Sequence, residues 1–373
     1  MSTPIRDRGP DATSTASGPA TSPSTPGAGE GDGPRGRLGR RLDGLRQTSP
    51  WVLLQRYGAL LALVVLLVYN AVDTENFTLE SFVNTPLRQA VPVAVVAIGM
   101  ALVIGTGGID LSVGSVMAIS AQVGVILLLA GVPALAAMGL AVLIGALCGA
   151  FNGLLVSRFR IQPIIATLVL FIGGRGIAKV LSSLAEGKPS GALLNFRDDT
   201  FSFLGLSKMR FFTPGGGVFA IPVQVLLLAV VAVVVAFIVR RASFGRYLLA
   251  TGGNEQASRL AGIAVGRVKV LAYVTCSGLA ALTGLVMAGN NSASAPATLG
   301  LNMELDAIAA VAVAGTPLTG GRITIWGTVV GAVMLQLLRF TLISHGSPQQ
   351  VAQMVQGLVI VAALCIQRPG RSR

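Results

Sequence analysis

The chain has 373 residues, of which 53% are hydrophobic and only 12% charged, a balance found in polytopic membrane proteins and not in soluble domains. Lysine and arginine outnumber acids by 28 to 15; here the cations fall in short loops between apolar runs, so topology explains the excess and no nucleic-acid partner is expected. Cys148, Cys276 and Cys365 lie far apart inside apolar runs and His345 is the single histidine, which leaves no disulfide framework and no metal-ligand spacing.

Residues 1–50 are rich in Pro, Gly, Ser, Thr and Ala and read as a disordered cytoplasmic tail, whose basic end RGRLGRRLDGLR suits anionic lipid. The first apolar run begins only near Trp51, and no cleavable signal peptide is expected. A helical span needs about 20 apolar residues. Ten segments approach that: 51–71, 89–106, 112–130, 133–157, 162–181, 222–240, 270–289, 303–317, 323–343 and 350–366. The pattern predicts an all-α polytopic membrane protein with a membrane domain at 51–367 and a cytoplasmic tail at 368–373. Segment 303–317 is short for a crossing, and 89–130 has room for broken or re-entrant pieces.

Charge orients the chain. With an even number of spans and both termini inside, the inner side holds Arg158, Arg160, the cations of the 241–268 loop and its edges, Arg322, and the arginines of both tails. The outer side keeps Arg88, Lys188, Arg197, Lys208 and Arg210, four of them in one long segment where the positive-inside rule has little force.

Two inner turns echo each other. TGGIDLSVGSV at 106–116 and TGGRITIWGTV at 319–329 share Thr-Gly-Gly, a glycine six positions on, and a valine two further. Tandem duplication explains this, and so does the use of Gly and Thr in similar turns. Gly107, Gly108, Gly320 and Gly321 supply the turns, and Asp110 opens the next helix as a cap, as Ser112 can. An acid near a membrane boundary also raises the alternative of ion coupling. Paired, glycine-interrupted segments are where a transporter would place its pathway. Candidate pathway groups are Thr106, Asn152, Arg175, Asn290, Glu304 and Trp326. Each also has a structural reading: snorkelling for Arg175, a helix N-terminus for Glu304, interhelical hydrogen bonds for the amides, packing for Trp326.

The basic loop at 241–268 contains a short helical patch. Asn254 is a good N-cap and Glu255 puts negative charge in the first turn, while Ala257, Leu260 and Ala261 recur at helical spacing opposite Ser258 and Arg259. Two turns of helix are not stable alone, so a surface must support them: the membrane face or a partner protein. No GxxxxGK[ST] phosphate loop occurs anywhere in the chain. A hydrolase built on His345 would need a facing serine, and no motif marks one.

At TGGIDLSVGSV, FNGLLVSRF, IQPIIATLVLFIGGRGIAK, the 245–269 loop and ELDAIAAVAVAGTPLTGGR followed by WGTVVGA, the chain resembles permease subunits of ribose/galactose-type ABC importers, with IQPIIATLVLFIGGRGIAK and SHGSPQQVAQMVQG similar to the galactofuranose branch. The resemblance runs from about residue 57 to 367. It implies the ABC-importer permease fold and a non-catalytic, multi-pass subunit in a bacterial plasma membrane, moving a monosaccharide. It also implies a second permease copy or paralogue, an extracytoplasmic sugar-binding protein, and a separate cytosolic ATPase that binds the ATP and magnesium, with no cofactor in this chain. Gly253, Asn254, Glu255, Ala257, Arg259, Leu260 and Gly262 match the family's ATPase-coupling segment. The family commonly has GGTSLxGG where this chain has AGTPLTGG, and Pro317 removes an N–H donor there. The rival reading is an ion-coupled secondary transporter, against which stands the scarcity of mid-span acids.

Overall fold

The structure, a computed structural model, describes residues 50–212 and 218–366. The tails read from the sequence at 1–50 and 368–373 lie outside the described residues, apart from Pro50, which begins the first helix.

Every apolar segment forms a helix. Helix α1 runs Pro50–Asp73; a short α2 (Leu79–Phe82) continues through a π turn at Val83–Leu87 into α3 (Arg88–Gly105). Pro86 sits in that turn, where its missing N–H breaks the regular ladder. Next come α4 (Val113–Leu129), α5 (Ala134–Ser157) and α6 (Pro163–Leu181). The segment between α6 and the next long helix holds β1 (Leu194–Asn195), α7 (Asp199–Leu206) and a hairpin of β2 (Lys208–Phe212) with β3 (Val218–Pro222). Then follow α8 (Val223–Arg241), α9 (Ser243–Gly253), α10 (Glu255–Leu260), α11 (Val265–Asn291), β4 (Ala293–Ser294), α12 (Met303–Val313), α13 (Ile325–Ser344) and α14 (Gln349–Ile366).

Helix count and span count differ. Among the described residues six helical stretches are long and apolar enough to cross a membrane: Leu79–Gly105, Ala134–Ser157, Pro163–Leu184, Val223–Arg241, Val265–Asn291 and Ile325–Ser344. The segment expected at 303–317 stops four residues early. Helix α12 has 11 residues, about 16 Å at 1.5 Å each, against a hydrocarbon core of about 30 Å. Gly315 at φ 81° and then Pro317 end it, since a left-handed residue caps a helix and proline cannot extend one. Conversely, α11 begins at Val265, five residues before the expected span, so Arg267 and Lys269 are helical. Neither β pair was readable in the apolar pattern: β2 and β3 form a local hairpin, while β1 and β4 join residues a hundred positions apart, Leu194 pairing with Ser294.

The core forms around α3, whose span is 78% buried, with α11 packed on α5, α4 and α3. Contact between α5 and α11 is backbone-close: a Cβ at Gly149 would overlap the carbonyl oxygen of Tyr273. Helix α6 is the least enclosed span, at 22% buried.

Two ends of the bundle are defined by contacts between loops. At one end the turns at 106–112 and 319–324 meet the 241–264 loop. At the other, Asn84 donates to Ala220 O, Arg88 Nη1 donates to Asn290 Oδ1 at 3.2 Å, and α7 lies on the end of α11. That second end also carries His345, whose Nδ1–H donates to Thr341 O at 2.7 Å and whose Nε2 lies 3.0 Å from Asp73 Oδ2. The ring thus ties α13 to α1, and among the described residues no serine hydroxyl is bonded to it. The Thr341 carbonyl is the largest effect and raises the imidazole above its ordinary value; burial opposes it, and the Asp73 carboxylate adds to the rise. A raised value means the tie stabilises fully below about pH 6.5, the unfolded value, and is lost as pH rises through the folded one. Thermal unfolding of the purified chain should therefore show a small loss of stability above roughly pH 6.5 that D73N reduces, the Thr341 contribution remaining.

Candidate functional site

Helix α10 owes its existence to its ends. Asn254, in extended backbone at φ −157°, accepts from the Ala257 N–H at 2.9 Å through Oδ1, and Gly262 takes φ 78° just past its last turn. Glu255 is shared between Arg259 at 2.6 Å and Lys269 at 2.7 Å. Partial burial alone would raise the Glu255 carboxyl, but the hydrogen bonds and charges of Arg259 and Lys269 outweigh it and hold the group below its usual range. Through Lys269 this carboxylate fastens α10 to the first turns of α11.

The apolar face picked out by the spacing is turned away from the chain's own core. Ser258 is the buried position, while Ala257 and Ala261 are exposed and Leu260 is 91% exposed. The consequence is an exposed plateau of Gly253, Asn254, Ala257, Arg259, Leu260 and Gly262 with an isolated leucine standing on it.

Behind the plateau, α9 reaches the bundle. Leu248 is fully buried against Gly105, at the end of α3. A Cβ at Gly252 would overlap the Gly105 carbonyl oxygen and lie 2.5 Å from the Gly321 nitrogen. Gly321 N–H itself donates to Gly105 O at 3.1 Å. Gly107, Gly320 and Gly321 all take positive φ, of 81°, 92° and 80°, which only glycine adopts without strain. The two echoed turns are therefore in direct backbone contact, and the loop helix α9 touches both. Sequence reasoning named these three glycines, with Gly108, and missed Gly252, Gly105 and Leu248. A glycine in a helix costs up to about 1 kcal/mol relative to alanine, so the Gly252-Gly253 pair was the available signal.

Asp110 is wholly buried. Its Oδ1 accepts from the Ser112 N–H at 2.9 Å and the Ser112 hydroxyl at 2.6 Å, and the Ser112 oxygen in turn accepts from Asn152 Nδ2 at 2.8 Å. Ser112 therefore makes no side-chain cap of α4, contrary to expectation, because its hydroxyl is engaged by Asp110 and Asn152.

The six pathway candidates are not gathered round one space. Thr106 donates to Val103 O in its own helix end, and Asn152 belongs to the Asp110 cluster. Asn290 accepts from Arg88 at the opposite end of the bundle. Trp326 is half-exposed at the start of α13. Arg175 Nη1 donates to Leu299 O at 2.6 Å and Pro296 O at 3.2 Å, on the segment that leads to buried Glu304, which a Cβ on Gly114 would touch. Arg175 thus clamps the segment leading into α12. Among the described residues no cluster of His, Cys, Asp and Glu is arranged to hold a metal ion.

A family profile described as branched-chain amino acid transport system / permease component matches residues 83–364. The ribose import permease protein RbsC of Escherichia coli is 35% identical over 320 residues, 86% of this chain and 95% of the relative. The galactofuranose transporter permease protein YtfT of Escherichia coli is 34% identical over 285 residues, 75% of this chain and 78% of the relative. The fructose import permease protein FruG of Bifidobacterium longum is 31% identical over 332 residues, 89% of this chain and 94% of the relative. No solved structure matches. Six membrane-capable stretches and a family match across most of the chain agree: the protein belongs to this family of permease components and is a non-catalytic, multi-pass membrane subunit of an ABC transporter.

Proposed function

We propose that the chain forms the gate of an importer for a monosaccharide of the ribose, galactofuranose or fructose kind, worked by a separate cytosolic ATPase. One observation carries the mechanical part: an exposed plateau ending in Leu260 is joined, through α9, to the backbone of both echoed turns. A solvent-facing leucine on a six-residue helix makes sense as a contact for a partner. ATP and magnesium belong to that partner, in keeping with the missing phosphate loop. When the ATPase pair closes on ATP, force on α10 passes along α9 to the ends of α3 and α13, and the spans rock between inward- and outward-facing states. The sugar class comes from the relatives, since three of them carry ribose, galactofuranose and fructose in their names.

Ten membrane passages with both termini in the cytoplasm fit the charge distribution, with α12 and its following loop as one short, broken passage. The grouping of the 106–112, 241–264 and 319–324 segments at one end supports that parity. A second copy or paralogue is proposed to pack along α6. That helix combines low burial with Arg175 and the open glycines Gly173 and Gly176, and small residues favour close helix contact while a cation disfavours lipid. On this arrangement Arg175 and Glu304 border the seam the sugar crosses, and an extracytoplasmic binding protein delivers it at the His345 end.

Proteoliposomes containing the chain, its ATPase and its binding protein test the reading with labelled ribose, galactose and fructose. Uptake of one of them that requires ATP supports it; uptake that follows a proton or sodium gradient without ATP favours the ion-coupled rival.

A further inference from the structure

Between α1, the end of α8, α9 and the start of α13 lies a cavity of about 710 Å³. Leu60, Ala236 and Val239 line its apolar wall, and Arg240, Arg246 and Trp326 stand at its loop-side rim. Arg246 is held in place by two bonds, from Nη1 to Arg241 O at 3.3 Å and from Nη2 to Ser243 Oγ at 3.0 Å. Three of its five N–H donors remain. Among the described residues neither Arg240 nor Arg246 has a carboxylate partner. Two guanidinium groups on one rim repel each other, and an anion between them would relieve that repulsion.

The occupant must also match the apolar wall. Water satisfies the rim but leaves the apolar wall wetted instead of buried. A neutral sugar leaves both charges uncompensated. The wall runs on into the membrane-facing side chains Val233 and Phe237, 54% and 65% exposed, and a tryptophan at the rim suits the headgroup level. We propose that this cavity holds one anionic phospholipid, its phosphate accepted by Arg240 and Arg246, its glycerol beside Trp326 and an acyl chain along Leu60, Ala236 and Val239. Basic pockets between spans on the cytoplasmic side are suited to such headgroups. The site would make the position of α9, and hence of the coupling loop, sensitive to the lipid around it.

Native mass spectrometry of the full chain, released from nanodiscs of phosphatidylcholine with a minor fraction of phosphatidylglycerol, reads the proposal directly. Phosphatidylglycerol should stay bound in preference to phosphatidylcholine. R240Q/R246Q should lower its retention about tenfold or more through loss of two charge-assisted contacts. R240K/R246K should retain part of the binding and R158Q, in another basic turn, all of it. A readout independent of the arginine variants uses W51F, which leaves Trp326 as the sole tryptophan: brominated phosphatidylglycerol should quench its fluorescence more than brominated phosphatidylcholine at equal fraction. Equal retention or equal quenching by the two lipids overturns the site. So does full displacement by inorganic phosphate, which would identify a bare anion as the ligand.

Discussion

L260D should abolish association with the ATPase while leaving membrane insertion and the fold of the chain unchanged. Leu260 is 91% exposed, so it contributes almost nothing to the permease's own core. Burying such a side chain against a partner stabilises a complex by about 1.5–3 kcal/mol, or roughly a ten- to hundred-fold gain in affinity. Aspartate removes that gain and adds an unpaired carboxylate to a contact that excludes water, so the affinity loss should reach about a hundred-fold or more. Pull-down of the ATPase and its stimulation by the permease both report the loss. E255Q is the informative contrast. The partners of Glu255, Arg259 and Lys269, lie in the same chain, and a partly exposed pair of this kind is worth only up to about 1 kcal/mol. Undiminished binding by L260D would remove α10 from the interface.

G252V should uncouple transport from ATP hydrolysis, and the adjacent G253A should not. The atoms nearest a Cβ at Gly252 are backbone of Gly105 and Gly321, and backbone cannot rotate aside as a flexible side chain can. Overpacking of this sort costs about 1–3 kcal/mol. Here the strain falls on the junction that links α9 to both turns. Hydrolysis stimulated by the docked permease should persist while sugar uptake falls by an order of magnitude or more, on the scale of about 1.4 kcal/mol per tenfold. A Cβ at Gly253 meets no atom within 4 Å, and alanine is the better helix former, so G253A should be neutral or slightly stabilising. Normal coupling in G252V would show that the signal bypasses this contact.

Much of the fold was legible because hydrophobic runs survive any tertiary arrangement: each of the ten apolar segments became a helix. Their lengths were less legible. Whether 303–317 crossed depended on Gly315 adopting φ 81° before Pro317, a three-residue event inside an apolar run. The Asn254 N-cap could be read because capping is local chemistry, whereas the inner and outer faces of α10 could not. Spacing set Ala257, Leu260 and Ala261 opposite Ser258 without saying which side meets the rest of the chain; Ser258 is the buried one. Gly252 was overlooked for the related reason that its importance lies in Gly105 and Gly321, distant in sequence. The branch of the family is also less sharp than the motif SHGSPQQVAQMVQG suggested, since the ribose and galactofuranose relatives are 35% and 34% identical.

The whole account rests on a gate with no energy source of its own. Reconstituting the chain alone in liposomes, with a proton or sodium gradient and labelled sugar outside, puts that to the test. No accumulation above the outside concentration is expected until the ATPase, ATP and the binding protein are supplied. Concentrative uptake by the chain alone would contradict the account.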